Sequence, residues 1–327
     1  MDKYSFIKKE DIMIHPIFDE DCEYLFDAVK NDSLIVFIGA GVSKLVGCLG
    51  WNELAEKIVK IGRQEGILNF LEEEVLLKEI MNPRKVISIC FKMFDNKDKK
   101  KLFYDLLIKF TDIVDKSNLD VFRKILDLKA KAYITTNIDD GLIQFNPPVT
   151  RQNIYDCTSK DFEIFVKDDL LVRDGNIFFL HGRRNIIENT IFTIDRYLEF
   201  YKRDYINDFL KNKIFTDNNV VLFIGYGLGE WEILEYLFRS QSNNSNYSSF
   251  INRYLLMPLY SSDYVKLNLD RIFYDFFNII TIPYFIDFEG YYKLSSSLDK
   301  LIKSINDYQP TASVVFNQID KVLENNE

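Results

Sequence analysis

The feature that most constrains this chain is the stretch Ser33–Ser43, which reads Ser-Leu-Ile-Val-Phe-Ile-Gly-Ala-Gly-Val-Ser. From Leu34 to Ile38 it is an unbroken apolar run, mostly β-branched and aromatic. A run of that kind suits a strand buried on both faces, the usual condition in a parallel sheet. It stops at Gly39, and Gly39-Ala40-Gly41 lets the backbone turn sharply without a Cβ in the way. A helix starting after the turn would aim free N–H groups at an anion, commonly a phosphate. A tight strand-to-helix crossing with no ligand explains the same residues, so both readings stay open here.

The pattern repeats along the chain. Apolar strand-like runs come at Ala132–Thr136, Asn176–Leu180, Val220–Ile224, Tyr254–Leu259 and Ile279–Phe285, with a short one at Pro148–Arg151. Helical periodicity fills the intervals. Asp21–Lys30 forms one helix, and Asn52 reads as the N-cap of another whose Leu54, Ile58 and Ile61 share a face. Periodicity then continues to about Leu128, with breaks at Asn82-Pro83 and near Asn96. A second helical stretch spans Asp195–Lys213, and further helices span Glu230–Arg239 and Tyr292–Ile305. Strands alternating with helices predict an α/β fold, a doubly wound, Rossmann-like, mainly parallel sheet of six strands or more. The expected organisation is one domain over residues 1–309. It carries a large helical insertion at about 52–130 and a second helical segment at about 195–213, with a tail or linker at 310–327. Ser240–Ser249 reads as a loop.

Composition narrows the function. The chain has 41 basic and 50 acidic residues, a net charge of −9, which does not favour nucleic-acid binding. Its 4 cysteines are scattered without a Cys-x-x-Cys pair, so neither a zinc module nor a disulfide scaffold is expected. No apolar run approaches the ~20 residues of a membrane helix, and the charged N-terminus is no signal peptide. A cytoplasmic protein without a metal is the expectation.

In doubly wound sheets, ligands bind outside the carboxyl ends of the strands, near the point where strand order reverses. That rule selects Gly39, Asn137, His181 and Gly225, each closing an apolar run. There are 2 histidines, and the other, His15, has no companion motif.

These residues resemble a known family. Gly39-Ala40-Gly41-Val42-Ser43, Thr135-Thr136-Asn137-Ile138-Asp139, Leu180-His181-Gly182 and Gly225-Tyr226-Gly227 occur in the order and spacing of the sirtuin fold. They are most similar to the sirtuin-like NADase domains of bacterial antiphage defence systems. The resemblance runs from about Leu34 to Ile305. It implies that Gly39, Ala40, Gly41, Val42 and Ser43 cradle the pyrophosphate of NAD+. Thr136 and Asn137 would lie by the nicotinamide ribose, and Asp139 by the nicotinamide amide. His181 would be the general base, and Gly225, Tyr226 and Gly227 would let the backbone approach the dinucleotide. The loop from Lys44 to Trp51 would fold over the nicotinamide side.

Departures from the protein-deacetylating members are as informative. The four-cysteine zinc module is missing, Leu-Val-Gly-Cys-Leu-Gly-Trp replaces Gly-Ile-Pro-Asp-Phe-Arg, and Thr136 stands where they have Gln. Glu230 occupies a position that is usually Asp. Without the zinc module there is no acyl-peptide cleft, which leaves water as the acceptor. The resemblance therefore implies an NAD+ glycohydrolase acting as an abortive-infection effector. It also implies a homo-oligomer held in check by a sensor or regulatory domain or by a partner protein. A non-catalytic NAD or ADP-ribose sensor and an NAD-dependent protein deacylase are the alternatives. A dehydrogenase is disfavoured because Lys44 takes the third glycine position of Gly-x-Gly-x-x-Gly. Because Asn137 and His181 sit at strand ends, replacing either by alanine is expected to remove chemistry and leave the fold intact.

Overall fold

A computed structural model describes residues 22–144, 154–169, 171–227, 231–239 and 253–309. The expected strand at Pro148–Arg151, the Ser240–Ser249 loop, Glu230, His15 and the tail lie outside the described residues.

Helix α1 (Glu23–Lys30) leads into β1 (Leu34–Ile38), followed by α2 (Ala40–Leu45), α3 (Trp51–Gln64), α4 (Phe70–Lys78), α5 (Pro83–Asn96), α6 (Lys100–Phe110) and α7 (Asp120–Asp127). Next come β2 (Ala132–Thr135), α8 (Gly141–Gln144), β3 (Ile154–Asp156), α9 (Phe162–Val166) and β4 (Asn176–Phe179). The remainder is α10 (Ile194–Tyr201), α11 (Asp204–Asp208), β5 (Val220–Ile224), α12 (Trp231–Arg239), β6 (Arg253–Leu259), α13 (Tyr264–Asp275), β7 (Ile279–Phe285) and α14 (Lys293–Asp307).

The strands form one 7-stranded sheet in the order β3-β4-β2-β1-β5-β6-β7, every neighbouring pair parallel. Chain order explains where a crevice must open. From β1 the chain builds outward through β2 and β4 on one side, then returns at β5 to build the other. The reversal falls at β1 and β5, in register from Leu34↔Val220 to Ile38↔Ile224.

The apolar runs make sense in this sheet because both faces are covered. Ile35 and Phe37 point into one cluster with Phe178, Phe209, Phe223 and Ile233. Leu34, Val36 and Ile38 point into the other with Leu25, Ile125, Leu298 and Leu301. A third cluster is helical, built from α3, α5 and α6 through Ile58, Ile87, Phe94 and Phe103, and it takes in Ile138, Ile187 and Phe192. The helical stretch thus packs its core onto loops at the carboxyl end of the sheet. Its last helix is different: Val121, Phe122 and Ile125 of α7 belong to the sheet-covering cluster. Each of the three clusters holds at least one of the cysteines.

Several local expectations need correction. Helix α3 begins at Trp51, not after Asn52: Gly50 is its N-cap, and its N–H donates to the Glu53 carboxylate at 2.7 Å. The Asp195–Lys213 stretch breaks at Lys202–Arg203 into α10 and α11, then continues as a π turn over Phe209–Ile214. At Asn82-Pro83 the break is a helix start, with Asn82 capping α5 and Pro83 in its first turn. Among the described residues, no helix is long and apolar enough to cross a membrane.

Candidate active site

The β1–α2 turn is locked to the turn after β5. Gly39 N–H donates to Ile224 O at 3.0 Å, and Gly41 N–H to Gly225 O at 2.8 Å. The approach is so close that a Cβ on Gly39 would sit 2.5 Å from Tyr226 Cα, and one on Gly41 2.8 Å from Gly225 O. Gly225 itself has φ +61°, in the left-handed region. Glycine is required at these positions because the two turns pack against each other. Two of the turn's N–H groups are spent on that lock, and Val42 N–H bonds Gly39 O at 3.1 Å.

The lock supports Asn137. Thr135, the last residue of β2, accepts the Asn137 N–H on its hydroxyl at 3.0 Å. The Asn137 side chain then donates to Gly39 O at 2.9 Å, across the strand boundary.

Asp139 is 5% exposed and ties the same two strands together. Its carboxylate accepts from Ser43 Oγ at 2.5 Å and from Gly141 N–H at 2.9 Å. Burial pushes its carboxyl above the ordinary range, and the two hydrogen bonds oppose that rise. The result is a fixed polar floor in a dry place.

Over this floor opens a narrow cleft of about 50 Å³, with Ala40, Ser43, Thr136, Asn137 and Asp139 among its lining residues. Its walls are apolar: Leu49, Trp51, Leu54, Ile191 and Phe192. Trp51 and Phe192 lie ring to ring at 5.6 Å. The 46–49 loop is held down by α6 and the segment after it. Leu49 N–H reaches Phe110 O, and Val114 and Asp115 N–H reach Val46 O. Cys48 also lines the cleft, but burial pushes its thiol up to about 12, so it is a packing residue and no thiolate nucleophile.

The structure does not bring all the sequence-selected residues into this cleft. Val42 is core, and the Tyr226 ring packs on Phe37 at 5.0 Å and on Phe223 at 5.9 Å. Gly225 lies in the lock, while Gly227 is exposed with open space around it. His181 is the main divergence. Leu180 N–H donates to Thr135 O at 2.7 Å, so the end of β4 runs beside the end of β2. Register alone would set His181 beside Asn137, since Thr135 pairs with Phe179. Yet His181 is 1% exposed, and the cleft lining does not include it. Its Nε2 is hydrogen-bonded to Tyr201 Oη at 3.1 Å. The rings of Tyr197, Phe200 and Tyr201 box it in at 5.9, 6.2 and 6.0 Å, nearly edge-on. His181→Ala would therefore remove a buried, closely packed ring and leave a cavity, a cost that its place at a strand end does not suggest.

Sequence reasoning missed Thr111, Ile191 and Phe192 as cleft residues. Thr111 comes just after α6 and Phe192 just before α10, and neither carries a local signal beyond ordinary apolar patterning.

Comparison with known proteins agrees with the geometry. Residues 131–274 match the model of the SIR2-like domain. Over 240 residues the chain is 25% identical to Defense-associated sirtuin 2 of Bacillus subtilis, covering 69% of this chain and 21% of that protein. The chain thus spans about a fifth of that relative's length. A seven-stranded parallel sheet, a cleft with a polar floor at its β1–β2 end and the sequence match agree: over residues 131–274 the chain is similar to the SIR2-like domain.

Proposed function

We propose that this chain hydrolyses NAD+ at the bond between nicotinamide and ribose. The observation that carries the reading is the cleft over the Ser43–Asp139 bond and the Asn137 amide. Nicotinamide is bound to ribose C1′ as a pyridinium, already a good leaving group. A flat aromatic amide suits the Trp51 and Phe192 walls, and its carboxamide N–H groups suit the Asp139 carboxylate on the floor. As the C1′–N bond breaks, its electron pair leaves with nicotinamide and positive charge builds on the ribose. The Asn137 amide oxygen is a fixed dipole for that charge or for an incoming water, and apolar walls exclude bulk solvent. Water oxygen bonds C1′, and its proton passes to a base. His181, one strand over from Asn137, is the histidine suited to that task near neutral pH. The products are ADP-ribose, nicotinamide and a proton.

In the cell this reaction would deplete NAD+ when triggered, as an antiphage effector; the defence-associated relative supports that role. Control by a partner or further domain, and self-association, belong to the same proposal. The exposed stripe of Val265, Leu269, Phe273 and Phe276 on and just after α13 offers an apolar face for assembly.

A second reading, a sensor that binds NAD or ADP-ribose without cleaving it, is favoured by the burial of His181. Incubating the purified protein with NAD+ and assaying free nicotinamide separates the two. Release that is lost in Asn137→Ala supports hydrolysis. Saturable NAD+ binding with no release, before or after activation, supports the sensor.

A further inference from the structure

We propose that residues 183–202 form a strap that holds His181 out of the cleft, and that Arg84 on α5 is the pin that keeps the strap down. The inference rests on reading His181 as the base of the hydrolysis, because a base must reach the water it activates.

The strap begins immediately after His181-Gly182 and ends with α10. Its own residues make the box: Tyr201 bonds the imidazole, and the Tyr197 and Phe200 rings stand nearly perpendicular to it. Ile191 N–H donates to His181 O at 3.0 Å, and Ile191 and Phe192 wall the cleft. One segment thus seals the histidine and walls the cleft.

The helical layer holds the outer side of the strap. The Arg84 guanidinium lies 3.8 Å from the Tyr197 ring centroid and 5.9 Å from that of Trp51. It therefore bridges a cleft wall to the Tyr197 ring, which is tilted against that of Tyr201 at 4.7 Å. Four residues along α5, Ser88 Oγ accepts the Ile194 N–H at 2.8 Å, at the first residue of α10. From α6, Tyr104 Oη accepts from Arg196 at 3.1 Å and Ile108 O from Arg184 at 3.2 Å. These contacts join the strap to α5 and α6; on its inner side Tyr197, Phe200 and Tyr201 pack in the sheet-covering cluster with Ile134 and Phe178, and Arg184 N–H donates to Ile138 O at 3.0 Å.

The movement required is short. Neighbouring strands are ~4.8 Å apart, and β2 and β4 stay paired to Thr135↔Phe179, two residues before Asn137 and His181. Lifting α10 and turning the ring would bring the imidazole to the cleft without disturbing the β1–β5 lock. A signal that shifts α5 relative to the sheet would release it.

The test labels His181 directly. Diethylpyrocarbonate acylates accessible imidazoles, and peptide mass spectrometry resolves His181 from the only other histidine, His15, whose labelling reports reagent dose. In the unchanged protein His181 should label at least tenfold slower than in the urea-unfolded chain. Removing one cation–π contact should raise the open fraction by about tenfold at most, and labelling of Arg84→Ala should rise accordingly. Ser88→Ala, a different strap contact on the same helix, should also speed labelling and guards against misfolding of the first variant. Thermal melting confirms that each remains folded. Fast labelling of the unchanged protein, or unchanged labelling in both folded variants, overturns the strap. Nicotinamide release should rise several-fold in the same variants. If labelling rises and no protein releases nicotinamide, the strap stands and the hydrolase reading falls.

Discussion

The carboxyl ends of β2 and β4 are neighbours in one sheet, in register, and they present opposite chemistry. At β2 the chain ends in half-exposed Asn137 and a hydrogen-bonded Asp139 beneath an open cleft. At β4 it ends in a histidine boxed by three aromatic rings. The backbone placement is the same in kind; the difference comes from the segment that leaves each strand. After β2 the chain turns away into α8, whereas after β4 it folds back over its own strand end. Strand order therefore locates a site, but the connecting segment decides which side chain meets solvent.

Mutating the two ends should sharpen that contrast most. Asn137→Ala and His181→Ala should each lower nicotinamide release by about 10²–10⁴. They should part company in stability. Asn137→Ala loses one hydrogen bond, about 1 kcal/mol. His181→Ala leaves a cavity among Tyr197, Phe200 and Tyr201 and should cost about 2–4 kcal/mol by chemical denaturation. Equal stability losses would mean that the two strand ends are equally packed in solution.

The next contrast lies within one glycine turn. Gly225→Ala forces a left-handed residue and places a Cβ 2.7 Å from Val42 N, so it should destabilise by about 2–4 kcal/mol. Gly227→Ala meets nothing within 4 Å and should stay within about 0.5 kcal/mol of the parent. Matched melts for the pair would break the account of why these glycines are needed.

The smallest effect concerns Asp139. Its folded carboxyl binds its proton more tightly than the unfolded one, because burial raises it. Stability from this group is therefore greatest below the ordinary carboxylate range of about 4 and declines as pH rises through the folded value. Asp139→Asn should flatten that decline, measured as unfolding free energy from pH 4 to 8. An unaltered slope would show that Ser43 and Gly141 outweigh burial.

Much of the sheet was legible because strands such as Leu34–Ile38 and Val220–Ile224 are apolar throughout, and only a doubly covered strand tolerates that. Helix α13 was not legible. Val265, Leu269 and Phe273 form an exposed apolar row while Leu267 and Asn268 are buried, so apolar spacing does not mark its buried face. Within the site, Gly39, Asn137 and Gly225 could be picked out as strand-end residues, but the Ser43–Asp139 hydrogen bond joins groups 96 residues apart with no local mark. The sealing of His181 was hidden for a related reason. Tyr197 and Tyr201 are spaced as any helix-core pair would be, and only the fold shows that they close over a strand end.

The lock between Gly41 and Gly225 also sets a clock on biosynthesis. β1 leaves the ribosome early, but its partner β5 and the turn carrying Gly225 emerge about 180 residues later. At typical elongation rates that is a wait of roughly 10–40 s, during which Asn137 has no fixed Gly39 carbonyl to bond. A nascent or prematurely terminated chain shorter than about 225 residues would hold the cleft motifs of β1 and β2 without their geometry. The assembled cleft thus arrives only after most of this region has been made, a delay built into strand order.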